Sequence, residues 1–415
     1  MATNKLLKSA KIICPSSSFH NKTKDILIEN GVITKIEDSI SVTNAEEFKF
    51  ENLHVSIGWM DLKANFREPG EEWKETLKSG AKAATKSGFT NIALSPATKQ
   101  PIDSKNRVDY LTNIAKDLTI KITPVGTLSD QHLGKELSEM YEMSQAGAVA
   151  FTDDKQNVNV GLLSKALLYT KPLNKKIISF ANEIELSKKG QIHEGEISTK
   201  MGLVGIPSLA EEMRITRDLA LAEYHETSIH FSTISTKKSV ELIRIAKQKG
   251  IKVTCDIAAH QLFFTDKNAV DYDSNFKTNP PFRTQSDINE LITGLKDGTI
   301  DAICSDHSPL DTEDKKLEFD QAEFGIIGLE SFFGSLNTVL KDNLTLEQII
   351  AKITVNPRNI LGVNLPKIEI NEPAELTLFS PTEKWIFTKN DIYSLSKNTP
   401  FIGEEFIGKS FGIIS

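Results

Sequence analysis

Four short stretches hold side chains with chemistry in them. They are Asp61-Leu-Lys-Ala-Asn-Phe-Arg67, Asp153-Asp154, Asp256 with His260, and Asp306-His307. Carboxylates and imidazoles are the groups that ligate metals and move protons. Arg67 is followed by a Pro69-Gly70 turn that holds its loop, and a guanidinium held there can fork onto a carboxylate ligand. Asn279, just before Pro280-Pro281, either braces its loop or meets a ligand. The chain has eight histidines, at 20, 54, 132, 193, 225, 230, 260 and 307. Only His260 and His307 fall beside the acids. One imidazole next to two carboxylates is not a catalytic zinc site of the usual histidine-rich kind. Each feature also has a plain reading: Asp153-Asp154 as a cap of the next turn, Arg67-Glu68 as a surface ion pair of little worth, Phe180 as packing.

These residues need elements that bring them together. Eight apolar, β-branched runs recur: HVSIGWMDL, TNIALSP, IKITPVG, AVAFTDD, KIISFAN, SIHFSTIST, IKVTCDIAAH and IDAICSD. Helical patterns separate most of them. The clearest is Ser208 to Glu226, where Ser208 and Glu211 read as a capping box and Leu209, Met213, Ile215, Leu219 and Leu221 as the apolar face. Eight buried strands with intervening helices are the pattern of a (β/α)₈ barrel, although periodicity alone does not exclude an open doubly wound sheet. No GxGxxG follows the first strand and no P-loop is present, so nucleotide-fold readings are weak. In a barrel the chemistry lies at the C-terminal ends of the strands. That places Lys63, Asn65, Arg67, Ala97, Asp153, Asp154, Phe180, Glu183, Thr233, Asp256, His260, Asp306 and His307 at one mouth.

Both chain ends have a different texture, with short β runs and turn residues. Asn30-Gly31 between ILIE and VITKI is a type I′ hairpin signal. The expected fold is α/β: a (β/α)₈ TIM-like barrel over residues 53–364, with a small β-sandwich built from 1–52 and 365–415. The 415 residues carry a net charge of -7, 39% hydrophobic and 25% charged residues. That is an ordinary globular composition, and it argues against nucleic acid or an anionic membrane as the main partner. The three cysteines, Cys14, Cys255 and Cys304, are far apart and fit core thiols in a reducing compartment. With no apolar leader or spanning segment, the expected location is the cytoplasm.

The residues resemble those of the class I dihydroorotases of the amidohydrolase superfamily over nearly the whole chain. NFREPG resembles that family's HxHxREPG motif, and AGAVAFTDD its fourth-strand segment with a bridging acid. HEGEISTKMGLVGIPSLAEEMRITRDLALA, IHFSTIST, FKTNPPFR, SDHSPL, EFGIIGLES and SKNTPFIGEEFIG resemble its later motifs in order. The resemblance implies two zinc ions held by four histidines, a bridging acid and a last aspartate. The resulting hydroxide opens the dihydroorotate ring, and the eighth-strand aspartate carries the proton.

Carried over by position, the four histidine seats are Lys63, Asn65, Phe180 and Thr233. Asp153 and Asp306 remain of the metal set, and Arg67 and Asn279 of the substrate contacts. A metal lowers the pKa of water from about 15.7 to about 7, roughly 12 kcal/mol of activation that a lysine and a threonine do not replace. The expectation is a vestigial site without zinc, Asp306 being a vestigial catalytic residue, in a chain that has lost hydrolase activity. Such a pseudoenzyme would serve pyrimidine biosynthesis as a structural or regulatory partner of aspartate carbamoyltransferase and as a homo-oligomer. An active dihydroorotase with an atypical site, and a protein that binds a small carboxylate through Arg67 and Asn279, stay open as alternatives. For the site itself, the expectation is that the Lys63 ammonium neutralises Asp153 and Asp306, while Phe180 and Thr233 fill the space of imidazoles.

Overall fold

The structure, a computed structural model, describes residues 4–415. Eight parallel strands follow one another around a barrel: β1 (Trp59–Ala64), β2 (Phe89–Leu94), β3 (Lys121–Gly126), β4 (Ala150–Phe151), β5 (Lys176–Phe180), β6 (Ile229–Ser232), β7 (Val253–Ala258) and β8 (Ala302–Cys304). The circle closes just past β8, where Ala64 bridges His307 in parallel and the Asn65 amide donates to the His307 carbonyl at 2.9 Å. All eight runs marked by sequence pattern contribute one barrel strand each. The barrel interior holds Met60, Leu62, Ala93, Val125, Ala150, Ile178, Ala258, Ala302 and Cys304. Strand residues of the other parity, among them Phe89, Ile92, Phe151, Ile177, Phe231 and Ile303, pack outward under the helices. This two-residue alternation sorts the barrel core from the shell between strands and helices.

The alternation breaks once, in β1. The pairing of β1 with β2 shifts between Asp61 and Ala64. As a result Leu62 and Lys63, neighbours in sequence, both line the small void inside the barrel. A bulge of this kind re-aims one side chain at a site.

A second, seven-stranded sheet joins the two chain ends. Its order is Glu405–Ile414, Leu376–Ile386, His54–Ile57, Asn4–Ile12, Thr23–Glu29 and Val32–Glu37, with Ala45–Phe48 alongside Asn4–Ile12. The Asn30-Gly31 turn has φ of 51° and 78°, the left-handed pair that a type I′ hairpin requires. The run HVSIGWMDL is divided between the two sheets: His54–Ile57 pairs with Leu376–Phe379, and β1 begins at Trp59. The switch falls at Gly58, where any Cβ would collide with the Thr90 side chain.

Helix Ser208–His225 corrects two local expectations. Pro207, not Ser208, is its N-cap, and no side chain caps it. Leu209 and Met213 are half exposed, and the buried face is Ala210, Glu211, Arg214, Ile215, Asp218, Leu219 and Ala222. The Glu211 carboxylate faces inward, accepting from the Ser235 amide at 2.8 Å and the Thr236 amide at 3.0 Å. A buried ion pair from Arg214 Nε to Asp218 (2.9 Å), with Ser179 Oγ donating to the same carboxylate at 2.7 Å, ties the helix to β5. Polar residues thus occupy a face that pattern reading assigns to apolar ones. Among the described residues no helix is long and apolar enough to cross a membrane.

Candidate active site at the barrel mouth

The strand ends enclose a cavity of about 490 Å³, lined by Arg67, Lys74, His132, Asp154, Lys155 and Asp306 among others. At its floor the Lys63 Nζ lies 3.0 Å from Asp154 Oδ1, 3.3 Å from Asp306 Oδ1 and 3.4 Å from Thr233 Oγ1. The same ammonium stands 4.7 Å from the centre of the Phe180 ring, a cation–π contact. β1, β5 and the turns after β4, β6 and β8 therefore meet at one amine. Burial by itself would release the Lys63 proton, but Asp154 and Asp306 hold the amine charged and move its pKa above the ordinary lysine value. Burial likewise opposes ionisation of Asp154, and Lys63 and Lys155 outweigh it, leaving that carboxyl below its ordinary range.

Two of the expected placements change. Asp153 does not face Lys63. Its carboxylate accepts from the amides of Leu128 (2.8 Å) and Ser129 (2.9 Å) and from the Ser129 hydroxyl, bracing the loop after β3. Asp154 supplies the fourth-strand carboxylate instead. The reason is parity: Ala150 points into the barrel and Thr152 lines its interior void, so Asp154 also points in and Asp153 points away. Asn279 does not line the cavity and is half-buried on its loop.

The remaining residues take the following places. Asn65 is a brace, its amide donating to the Ala97 carbonyl (2.8 Å) while its oxygen accepts from the Arg67 amide (2.8 Å). Arg67, with φ of 61°, donates through Nε to the Pro309 carbonyl (2.9 Å) and through a terminal nitrogen to Ser308 Oγ (2.8 Å). That leaves part of its fork open to the cavity. Phe180 is buried beneath the amines, and the Thr233 amide donates to Asp256 Oδ1 at 2.6 Å. Asp256 also meets His230 Nε2 at 2.9 Å, so this pair joins β6 to β7 below the mouth.

Sequence reasoning missed Lys155. It follows Asp154 in the turn, lines the cavity, and stands 5.9 Å from the Phe180 ring on which Lys63 also lies. Burial, together with the nearby Lys63 and Arg67 charges, pushes its pKa below the ordinary lysine value against the pull of Asp306 and Asp154. Strand parity was the available signal, because it carries the whole Asp154-Lys155 turn to the mouth. His260 is buried with neither ring nitrogen hydrogen-bonded, and burial pushes its pKa down to about 4.

The donor set does not suit the two-zinc centre that the resemblance implies. The side chains meeting at this floor are two carboxylates, an ammonium, a phenyl ring and a hydroxyl. Both carboxylates are within ion-pair distance of that ammonium. Among the described residues no group of three or more His, Cys, Asp or Glu side chains is placed to hold a metal ion.

An eight-stranded parallel barrel with its site at the strand ends, joined to a sheet made from both termini, defines an amidohydrolase-type protein. The fold matches the L-hydantoinase (dihydropyrimidinase) from Arthrobacter aurescens with a TM-score of 0.84, 21% identity, and 98% and 94% of the two chains covered. It matches D-hydantoinase from a Bacillus sp. AR9 with a TM-score of 0.82 at 19% identity, covering 99% and 94%. In sequence, residues 54–239 match the dihydro-orotase-like family. The dihydroorotase of Acetivibrio thermocellus is 38% identical over 410 residues, 98% of this chain and 96% of that one. The dihydroorotase of Geobacter metallireducens is 38% identical over 409 residues, again 98% and 96%. The chain belongs to the dihydroorotase family.

Proposed function

We propose that this chain is a metal-free, non-hydrolytic member of the dihydroorotase family that serves pyrimidine biosynthesis in the cytoplasm as a structural or regulatory partner of aspartate carbamoyltransferase. One observation carries the metal-free reading. The Lys63 ammonium lies 3.0 and 3.3 Å from Asp154 and Asp306 and supplies the positive charge that two neighbouring buried acids require. A metal entering there would first have to displace or deprotonate an amine whose charge both acids stabilise. Without an activated water, the roughly 12 kcal/mol that zinc contributes to ring opening has no substitute among these side chains. The partner role rests on the family and on the retained barrel.

The test has two arms. Elemental analysis of the purified chain, together with dihydroorotate hydrolysis with and without added zinc, should show substoichiometric zinc and no turnover. Stoichiometric zinc with turnover would favour an active enzyme and end the proposal. Co-elution with aspartate carbamoyltransferase from the same source, and a change in its rate or stability, tests the partner role. Two proteins that elute and behave independently would remove it.

A further inference from the structure

The metal-free reading accounts for Lys63 but leaves Lys155 unused. Its amine faces a cavity of about 490 Å³ and, among the described residues, forms no ion pair and no side-chain hydrogen bond. A lysine that has left bulk water usually gains a partner. Here the two nearest acids, Asp154 and Asp306, are already engaged by Lys63. Lys155 instead shares the Phe180 ring with a second cation, Lys63 at 4.7 Å and Lys155 at 5.9 Å. An amine set against an aromatic face beside another ammonium is the environment in which lysine acts as a nucleophile toward carbonyls. The cavity supplies the rest of such a site. Arg67 keeps donors free for a carboxylate, and Asp306 is an acid–base group on the same wall.

We propose that Lys155 captures a small keto or aldehyde acid at the barrel mouth as a protonated imine, with Arg67 holding the ligand's carboxylate. The chemistry balances without a metal or redox partner. The Nζ lone pair attacks the carbonyl carbon, a C–N bond forms, and the C=O electron pair moves to oxygen. One proton passes from nitrogen to that oxygen through the Asp306 carboxylate, and a second comes from solvent. The C–O bond then breaks, water leaves, and the protonated imine remains. The proposal rests on the metal-free reading, because a metal held by Asp154 and Asp306 would fill the space the ligand needs.

The probes are pyruvate and glyoxylate, each mixed with the intact chain and reduced with borohydride, followed by peptide mapping by mass spectrometry. The expected result is one reduced adduct at Lys155 that saturates with probe concentration and is absent from exposed lysines such as Lys165. Malonate, a dicarboxylate without a reactive carbonyl, should suppress it. Lys155→Met should abolish the adduct, and Arg67→Met should weaken saturation while leaving Lys155 reactive at high probe concentration. Labelling spread over surface lysines, an adduct that does not saturate, or an unlabelled Lys155 would each overturn the proposal. These outcomes come from the native chain and stand even if a variant fails to fold. Zinc content and hydrolysis are measured separately, so failure of the metal-free reading is distinguishable from failure of imine capture.

Discussion

Lys63 decides the character of the mouth. Removing a single partner from a buried charge cluster leaves an uncompensated charge, which costs about 3 kcal/mol or more. Lys63→Met keeps the stem and deletes the charge, so chemical denaturation should show a loss of that size. Lys63→Met with Asp154→Asn should recover part of it, because the two sites are in direct contact. The pH dependence should also invert. In the native chain Asp154 has a lowered pKa, so its stabilisation is present above the unfolded value near 3.9 and lost as pH falls below it. In Lys63→Met the unpaired acids gain by taking up protons, and stability should rise as pH is lowered toward 5. His260 gives a second pH signature. Its folded pKa of about 4 lies below the unfolded value near 6.5, so the folded state prefers the neutral ring. Its contribution is complete above about 6.5 and lost between there and about 4, roughly 3 kcal/mol in all. Urea midpoints across that window should fall less steeply in His260→Leu.

The elements position these side chains through buried polar ties as much as through apolar contact. Asp218 on helix Ser208–His225 accepts from Arg214, Arg217 and Ser179, and Ser179 immediately precedes Phe180 on β5. Asp218→Ala would strand two guanidinium groups and free the end of β5, at a cost of about 3 kcal/mol. Thermal unfolding should register this, and hydrogen exchange should show the loosening first in β5 and the helix. Had the helix been held by apolar contact alone, the substitution would cost well under 1 kcal/mol. Glu211 works the same way on the turn after β6, where its carboxylate holds the amides that follow Thr233.

At the scale of the molecule, the terminal sheet and the barrel share a core. Trp59 at the start of β1 packs against Phe89, Phe333 and Phe379, and its amide donates to Thr377 Oγ1 at 3.0 Å. Glu375 accepts from buried Arg358 at 2.8 Å and from Thr90 at 3.0 Å, and pairs with Lys121. The strand that begins at Leu376 is thereby joined to β2, β3 and the last helix of the barrel. Calorimetry should therefore show one cooperative transition. Truncation after Glu375 should abolish soluble expression, because it exposes Trp59 and Phe333 and removes the partner of His54–Ile57. Two well-separated transitions, or a stable truncated barrel, would contradict this coupling.

The sequence by itself determined the eight strands, the joined β texture of the two ends, the Asn30-Gly31 hairpin and the four unusual residues Lys63, Asn65, Phe180 and Thr233. Each of these is local: a run of alternating apolar residues, a turn pair that tolerates positive φ, or a residue type at a motif position. Tertiary structure decided which acid faces Lys63, because Asp153 and Asp154 are adjacent and a shift of one residue reverses the face. It also decided that Leu62 and Lys63 both point inward, since the bulge in β1 depends on how that strand pairs with β2. The buried face of helix Ser208–His225 was hidden for a related reason. Glu211, Arg214 and Asp218 are polar in sequence and become core residues only because partners from β5 and the turn after β6 satisfy them. Lys155 lay outside every motif, and only closure of the barrel, which sets the turn after β4 beside Phe180 at the end of β5, put its amine in the cavity.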